Sequence, residues 1–235
     1  MSKSEDNYQG FYTEAVNARK TIKTPEGMVT RLTTAGTHLL PVVLNIMIDI
    51  ETGGLDVDTC PILQIGACVI NTRELESELS RSTFKVNIGI ENNIGYGRGR
   101  IENDTLDWLD RNCSAVQVSS LLYPLNKVHL VEAFSLLRKY ILDMKALYEA
   151  DKVLLWSKGA DFDLVVLSNA FAEYGIDWPV SFREHRCART IMAMFPEVSR
   201  FVSTPEHTHD ALTDALYQAE YLDLIQKLHP HIRYT

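Results

Sequence analysis

Two carboxylates stand where an apolar strand should carry none. In PVVLNIMIDIETGGL, Asp49 interrupts a run of β-branched and apolar residues, and Glu51 follows two positions later. Side chains alternate across a strand, so both acids point to one face, on the order of 7 Å apart along the chain. Burying an unpaired carboxylate is costly, and a like-charged neighbour makes it more so. Such a pair requires protons, a basic partner or a metal ion, unless the strand end simply reaches solvent.

Three further residues share this character. Asp163, in WSKGADFDLVVLSNAF, opens a helix just after a strand and a glycine-containing turn. An acid there serves as a helix cap or dipole partner as readily as a ligand, and Asp161 is an equally good cap. In HDALTDAL, His209 and Asp214 are five residues apart, or roughly 140° around a helix, so they cannot face one point from within the same helix. His209 must approach from the preceding loop while Asp214 projects from the second turn. His207 is a competing histidine, disfavoured by spacing. Each acid lies at a strand end or helix start, where the elements of an α/β sheet converge on one crevice. Four carboxylates gathered there are tolerable around hard divalent cations such as Mg²⁺ and Mn²⁺.

The elements that must position these groups are legible from periodicity. PVVLNIMIDI reads as a buried strand ending in the turn Thr52-Gly53-Gly54, with PILQIGACVI (61–70) a second strand and STFKVNI (82–88) a third. The charged NTRELESEL between the last two suits a hairpin-like connection, and the three strands form a meander. IENDTLDWLDRNC starts a short helix capped by Asn103 or Asp104. Leu130, Phe134, Leu137, Ile141, Met144 and Tyr148 mark a long amphipathic helix. KVLLWS (152–157) is a further buried strand, followed by a helix from Asp161 to Tyr174 with Phe162, Val165, Val166 and Phe171 on its core face. A final helix from His209 to Leu228 packs Ala211, Leu212, Ala215, Leu216, Ala219 and Leu222. Three strands, then helices alternating with strands, predict an α/β fold with a mixed sheet flanked by helices.

A chain of 235 residues, 46% of them hydrophobic, suits one domain, here residues 41–235, with residues 1–40 as an N-terminal extension. The net charge of −8 argues against wrapping long stretches of phosphate backbone. An enzyme gripping only a strand end escapes that objection, because bound cations supply positive charge locally. Cys60, Cys68, Cys113 and Cys187 form no metal-ligand spacing and read as reduced, buried thiols. No apolar run is long enough to span a bilayer, so a cytoplasmic protein is expected.

DIETGGL, SKGADFDLVVL and HDALTDA, in this order, resemble the three motifs of the DEDD exonuclease superfamily. The match is to its histidine-bearing branch, which includes the proofreading subunit of bacterial DNA polymerase III, RNase T and oligoribonuclease. The second motif has Ser157-Lys158-Gly159 where many relatives carry an Asn. That form looks closer to phage exonucleases of the DexA type and small bacterial 3′→5′ exoribonucleases, which implies the cytoplasm of a bacterium or of a phage-infected host.

The resemblance implies a ribonuclease H-like α/β fold with the first three strands antiparallel, and two divalent cations, Mg²⁺ or Mn²⁺, held by Asp49, Glu51, Asp163 and Asp214. Asp49 would bridge the ions and His209 would be the general base. The substrate would be the 3′ end of single-stranded DNA or RNA, cleaved to nucleoside 5′-monophosphates. Thr52, Gly53, Gly54 and Leu55 would shape the terminal nucleotide's pocket, although the glycines serve the turn as well.

Arg98 and Arg100, and the group Arg183, Arg186 and Arg189, are candidates for phosphate contacts or solvated charge. Trp108 is either a base-stacking platform or core. A module that binds nucleic-acid ends or protein without cleaving, and a short-oligonucleotide hydrolase, are the rival readings. A homodimer stays open.

Overall fold

The computed structural model describes residues 41–70, 82–93, 98, 100–203, 205 and 209–234. The expected N-terminal extension, the hairpin connection at 71–79 and His207 lie outside them. Strands β1 (Val43–Thr52), β2 (Ile62–Val69) and β3 (Thr83–Asn87) form the antiparallel meander. β4 (Lys152–Ser157) and β5 (His185–Cys187) then add in parallel beside β1, giving the sheet order β3-β2-β1-β4-β5. β5 is not marked by periodicity, since three residues cannot display one.

Six helices are described: α1 (Asn103–Asn112), α2 (Ala115–Leu122), α3 (Leu130–Leu147), α4 (Asp163–Glu173), α5 (Ala188–Met194) and α6 (Ala211–Leu228). Several boundaries depart from expectation. Asn103 is the first residue of α1, whose N-cap Glu102 makes no side-chain capping bond. α4 starts at Asp163 rather than Asp161 and buries Leu164 and Leu167 where Val165 was expected. α6 starts at Ala211, with the Asp210 side chain accepting from Thr213 N, so Asp214 lies in the first turn, not the second.

Period-2 alternation in β1 sorts its side chains into two cores. Ile46, Ile48 and Ile50 pack with the apolar faces of α3 and α4, including Phe134, Leu137, Ile141, Leu167 and Phe171. Met47 faces the other way, joining Trp156, Ala215, Ala219 and Leu222 beneath α6. Each fully buried Leu, Ile or Phe contributes about 1.5–3 kcal/mol, so both faces of the sheet are firmly covered. Asp49 and Glu51 share the parity of Met47 and therefore lie on the α6 side. That parity is what brings a strand-borne acid under the helix that carries another.

Close approach makes this possible. Gly66 pairs with Asp49 across the β1–β2 ladder, and a Cβ on Gly66 would lie 2.3 Å from the backbone of Ala211 and Leu212. The start of α6 rests directly on that glycine. Gln64 Oε1 accepts from Ala211 N at 2.7 Å, satisfying one of the free amides at the helix start.

Candidate active site

Four segments converge at the end of β1. Glu51, Asp214 and His209 each offer a ligand atom, all within 4.8 Å of one another. Asp49 lies deeper, its Oδ1 accepting from Gln218 Nε2 at 2.8 Å. Asp163 enters from the opposite side of the sheet, at the start of α4, where its Oδ1 accepts from Ile50 N at 3.2 Å. Asp163 is thus tied to the backbone residue between the two β1 acids. It also stands in the first turn of α4, where the sequence reading placed a helix-dipole partner.

Burial raises the proton affinity of all four carboxylates, and neighbouring acids of the set raise Asp49 and Glu51 further. Burial first, then the charges of Asp163, Glu51 and Asp214, hold the Asp49 carboxyl well above the usual carboxylate range. Burial and the neighbouring Asp214, Asp210 and Asp163 push Glu51 up to about 8. Asp163 is pushed up to about 6 by burial, against hydrogen bonds to its ionised form and the charge of Arg189. Burial also raises Asp214, opposed by the His209 amide and by the His209 and Lys158 charges. Among the described residues none of the four forms an ion pair. A crowded set of carboxylate oxygens, with no protein cation in direct ion-pair contact among the described residues, fits hard divalent ions such as Mg²⁺ or Mn²⁺.

His209 is held by three features. Its backbone is in the left-handed region at φ 66°, its amide donates to Asp214 Oδ2 at 2.9 Å, and its ring meets Trp108 edge to face at 4.7 Å. The turn before α6 thus swings the imidazole back over Asp214, resolving the roughly 140° that separates them on a helical wheel. Trp108 is 41% exposed, so it is a wall of this site rather than core.

The Thr52–Leu55 turn borders the same crevice and is anchored by Glu102, whose Oε1 accepts from Leu55 N at 3.0 Å and Asp56 N at 3.3 Å. A Cβ on Gly54 would lie 2.3 Å from that oxygen, and one on Gly53 would lie 2.6 Å from Pro61 Cγ. Gly53 is therefore required by the Pro61 ring packed on it, a side chain at Gly54 would displace Glu102 from the turn, and Leu55 is the exposed member of the turn. Thr52 Oγ1 donates to the Gly54 carbonyl at 2.8 Å.

Arg98 departs from its expected surface role. Its guanidinium is buried, with Nε on Glu173 Oε2 at 2.9 Å and Nη1 on the Cys60 carbonyl at 3.2 Å, and so it is not available to a phosphate. Arg100 is exposed. Arg183 lies over the Phe182 ring, Arg186 bonds the Arg183 and His185 carbonyls, and Arg189 donates to the Lys158 carbonyl at 3.0 Å. Sequence reasoning missed Gln218 and Glu102. Gln218 had a signal, being a polar residue four positions after Asp214 on the face of Ala211, Ala215 and Leu222. Glu102 had none, because its role depends on a turn about fifty residues earlier in the chain.

No helix among the described residues is long and apolar enough to cross a membrane. No curated protein sequence matches the chain significantly. Solved structures with a similar fold include Pop2p of S. pombe in its Mg²⁺- and Mn²⁺-bound form, at 13% identity, TM-score 0.56, and 94% and 89% coverage of this chain and that one. The nuclease domain of 3′hExo, a DEDDh family member bound to rAMP, matches at 14% identity and TM-score 0.52, over 83% and 96% of the two chains. Cell-death related nuclease 4 matches at 11% identity and TM-score 0.53, over 80% and 65%. The ribonuclease H-like fold expected from the motifs is thereby shown. The model of the Rv2179c-like 3′-5′ exoribonuclease domain matches residues 44–226, and the chain belongs to that family.

Proposed function

We propose that this chain shortens single-stranded nucleic acid from its 3′ end, with RNA preferred to DNA, releasing one nucleoside 5′-monophosphate at a time. The observation that supports this reading is the gathering of four mutually repelling carboxylates and one histidine from β1, α4, α6 and the turn before α6. The preference for RNA follows the family's description as exoribonucleases.

Asp49, Glu51, Asp163 and Asp214 would hold two divalent cations, Mg²⁺ or Mn²⁺, which supply Lewis acidity for water activation and for the charge on the departing oxygen. His209 is the general base, taking a proton from the attacking water as its oxygen bonds to phosphorus. The P–O3′ bond breaks, the nucleotide leaves with a 5′-phosphate, and the shortened strand's new 3′ oxygen takes a proton from solvent. The wall formed by Trp108 and the turn Thr52-Gly53-Gly54-Leu55 receives the terminal nucleotide. Trp108 also keeps the His209 ring from rotating away.

Incubation of 5′-labelled RNA, matching DNA and their duplexes with Mg²⁺ or Mn²⁺ tests the proposal. Single-stranded RNA should shorten stepwise from its 3′ end, with Asp49→Ala and His209→Ala inactive. If folded protein shortens no substrate, the enzymatic reading fails. If activity survives Asp49→Ala, the carboxylate site is misassigned.

A further inference from the structure

Beneath the acidic centre, α6 buries a primary amide. Gln218 is 3% exposed, its Nε2 donates to Asp49 Oδ1 at 2.8 Å, and its Oε1 accepts no hydrogen bond from the described residues. Leaving a buried acceptor unpaired is unfavourable, and an apolar side chain in a row with Ala211, Ala215, Ala219 and Leu222 would avoid that. The bond to Asp49 is what the amide supplies in return.

Gln218 follows Asp214 by four residues, so it lies one turn further along the same face of α6. The helix cannot shift easily, because its start rests on Gly66 and is tied to Gln64, while Cys68 Sγ meets the Ala215 carbonyl at 3.5 Å. An amide suits this place chemically. It orients a carboxylate through a neutral N–H, whereas Lys or Arg would neutralise it and compete with a divalent ion, and Glu would add a fifth repelling charge.

We propose that Gln218 is a positioning residue for the metal centre: it holds Asp49 through Oδ1, leaving Oδ2 for cations, and sets the Asp49 carboxylate relative to Asp214 through the rigid helix both residues share. This rests on the reading of the acidic cluster as a cation site. Partners that orient a metal's ligands in this way commonly contribute tenfold or more to affinity or activity.

Calorimetric titration of the full chain with Mn²⁺, without nucleic acid, tests the proposal. Gln218→Met keeps the volume and removes the donor. It should bind Mn²⁺ about ten- to a hundredfold more weakly, while still unfolding in one cooperative transition in EDTA. With subsaturating Mn²⁺ its kcat should fall and recover partly in excess Mn²⁺, while KM for the oligonucleotide stays within about twofold of the parent. Gln218→Leu repeats the test should the Met variant fail to fold.

Mn²⁺ affinity equal to the parent's in either folded variant overturns the proposal. Asp49→Asn distinguishes failure of the cation site from failure of the Gln218 role. A parent that binds no Mn²⁺, or an Asp49→Asn variant that binds it as tightly as the parent, overturns the cation site and the Gln218 role with it. A parent that binds while Asp49→Asn does not leaves the Gln218 variants to decide.

Discussion

His209 occupies a backbone conformation that most side chains resist, and this guides its replacement. Asn tolerates the left-handed region at φ 66° better than Ala, so His209→Asn removes the imidazole while sparing the turn. We expect kcat to fall by about 10²–10⁴-fold with KM little changed, as loss of a general base predicts, measured by steady-state cleavage of single-stranded RNA.

Glu51 gives the fold a pH dependence. Its carboxyl rises from the ordinary 4.5 to about 8, because burial and then Asp214, Asp210 and Asp163 disfavour its ionised form. The folded protein therefore holds this proton more tightly than the unfolded chain does. The stability this confers is complete below 4.5 and is lost as pH climbs to about 8. Melting curves in EDTA should show the parent losing stability across that window more steeply than Glu51→Gln. Saturating Mg²⁺ should flatten the parent's loss, and it should do nothing for the variant's activity, which is abolished. A parent curve that stays flat in EDTA refutes the expectation.

At the scale of elements, the contact between α6 and β2 decides whether the site assembles. Gly66→Ala places a methyl 2.3 Å from the backbone of Ala211 and Leu212, atoms that cannot rotate aside. The helix start must lift, taking with it Asp214 and the turn that bears His209. We expect a loss of about 1–3 kcal/mol in urea denaturation, as for other forced overpacking, together with a fall in kcat at temperatures where the variant remains folded. Unchanged kcat in a destabilised variant would show that the helix start is not what sets the catalytic geometry. α1 acts comparably on the other wall, since Trp108 on it braces His209 and Glu102 before it anchors the Thr52–Leu55 turn.

For the whole molecule, a net charge of −8 disfavours binding along a long phosphate track, and the buried Arg98 adds nothing to one. On the proposed function, recognition would centre on one or two phosphates at the strand end. For single strands each neutralised phosphate contributes a slope of about −0.7 to log affinity against log salt, so raising KCl from about 50 to about 200 mM should reduce kcat/KM less than tenfold. A steeper dependence would reveal a basic path along the chain. On that reading, the same charge would favour a single strand held at its end over a duplex bound along its length.

From the sequence come the candidate residues for chemistry, their order, the meander that carries the first acids, and the long helices. A carboxylate in an apolar strand, a glycine-rich turn and a His–Asp spacing are local patterns whose physical consequences need no distant partner. Tertiary structure alone decided what depends on residues far apart in the chain. It put Arg98 against Glu173 and Cys60, set Trp108 beside His209, added the three-residue β5, and turned Gln218 toward Asp49. Each of these is a choice between burial and exposure made by whatever packs opposite, and no periodicity within one segment records its partner.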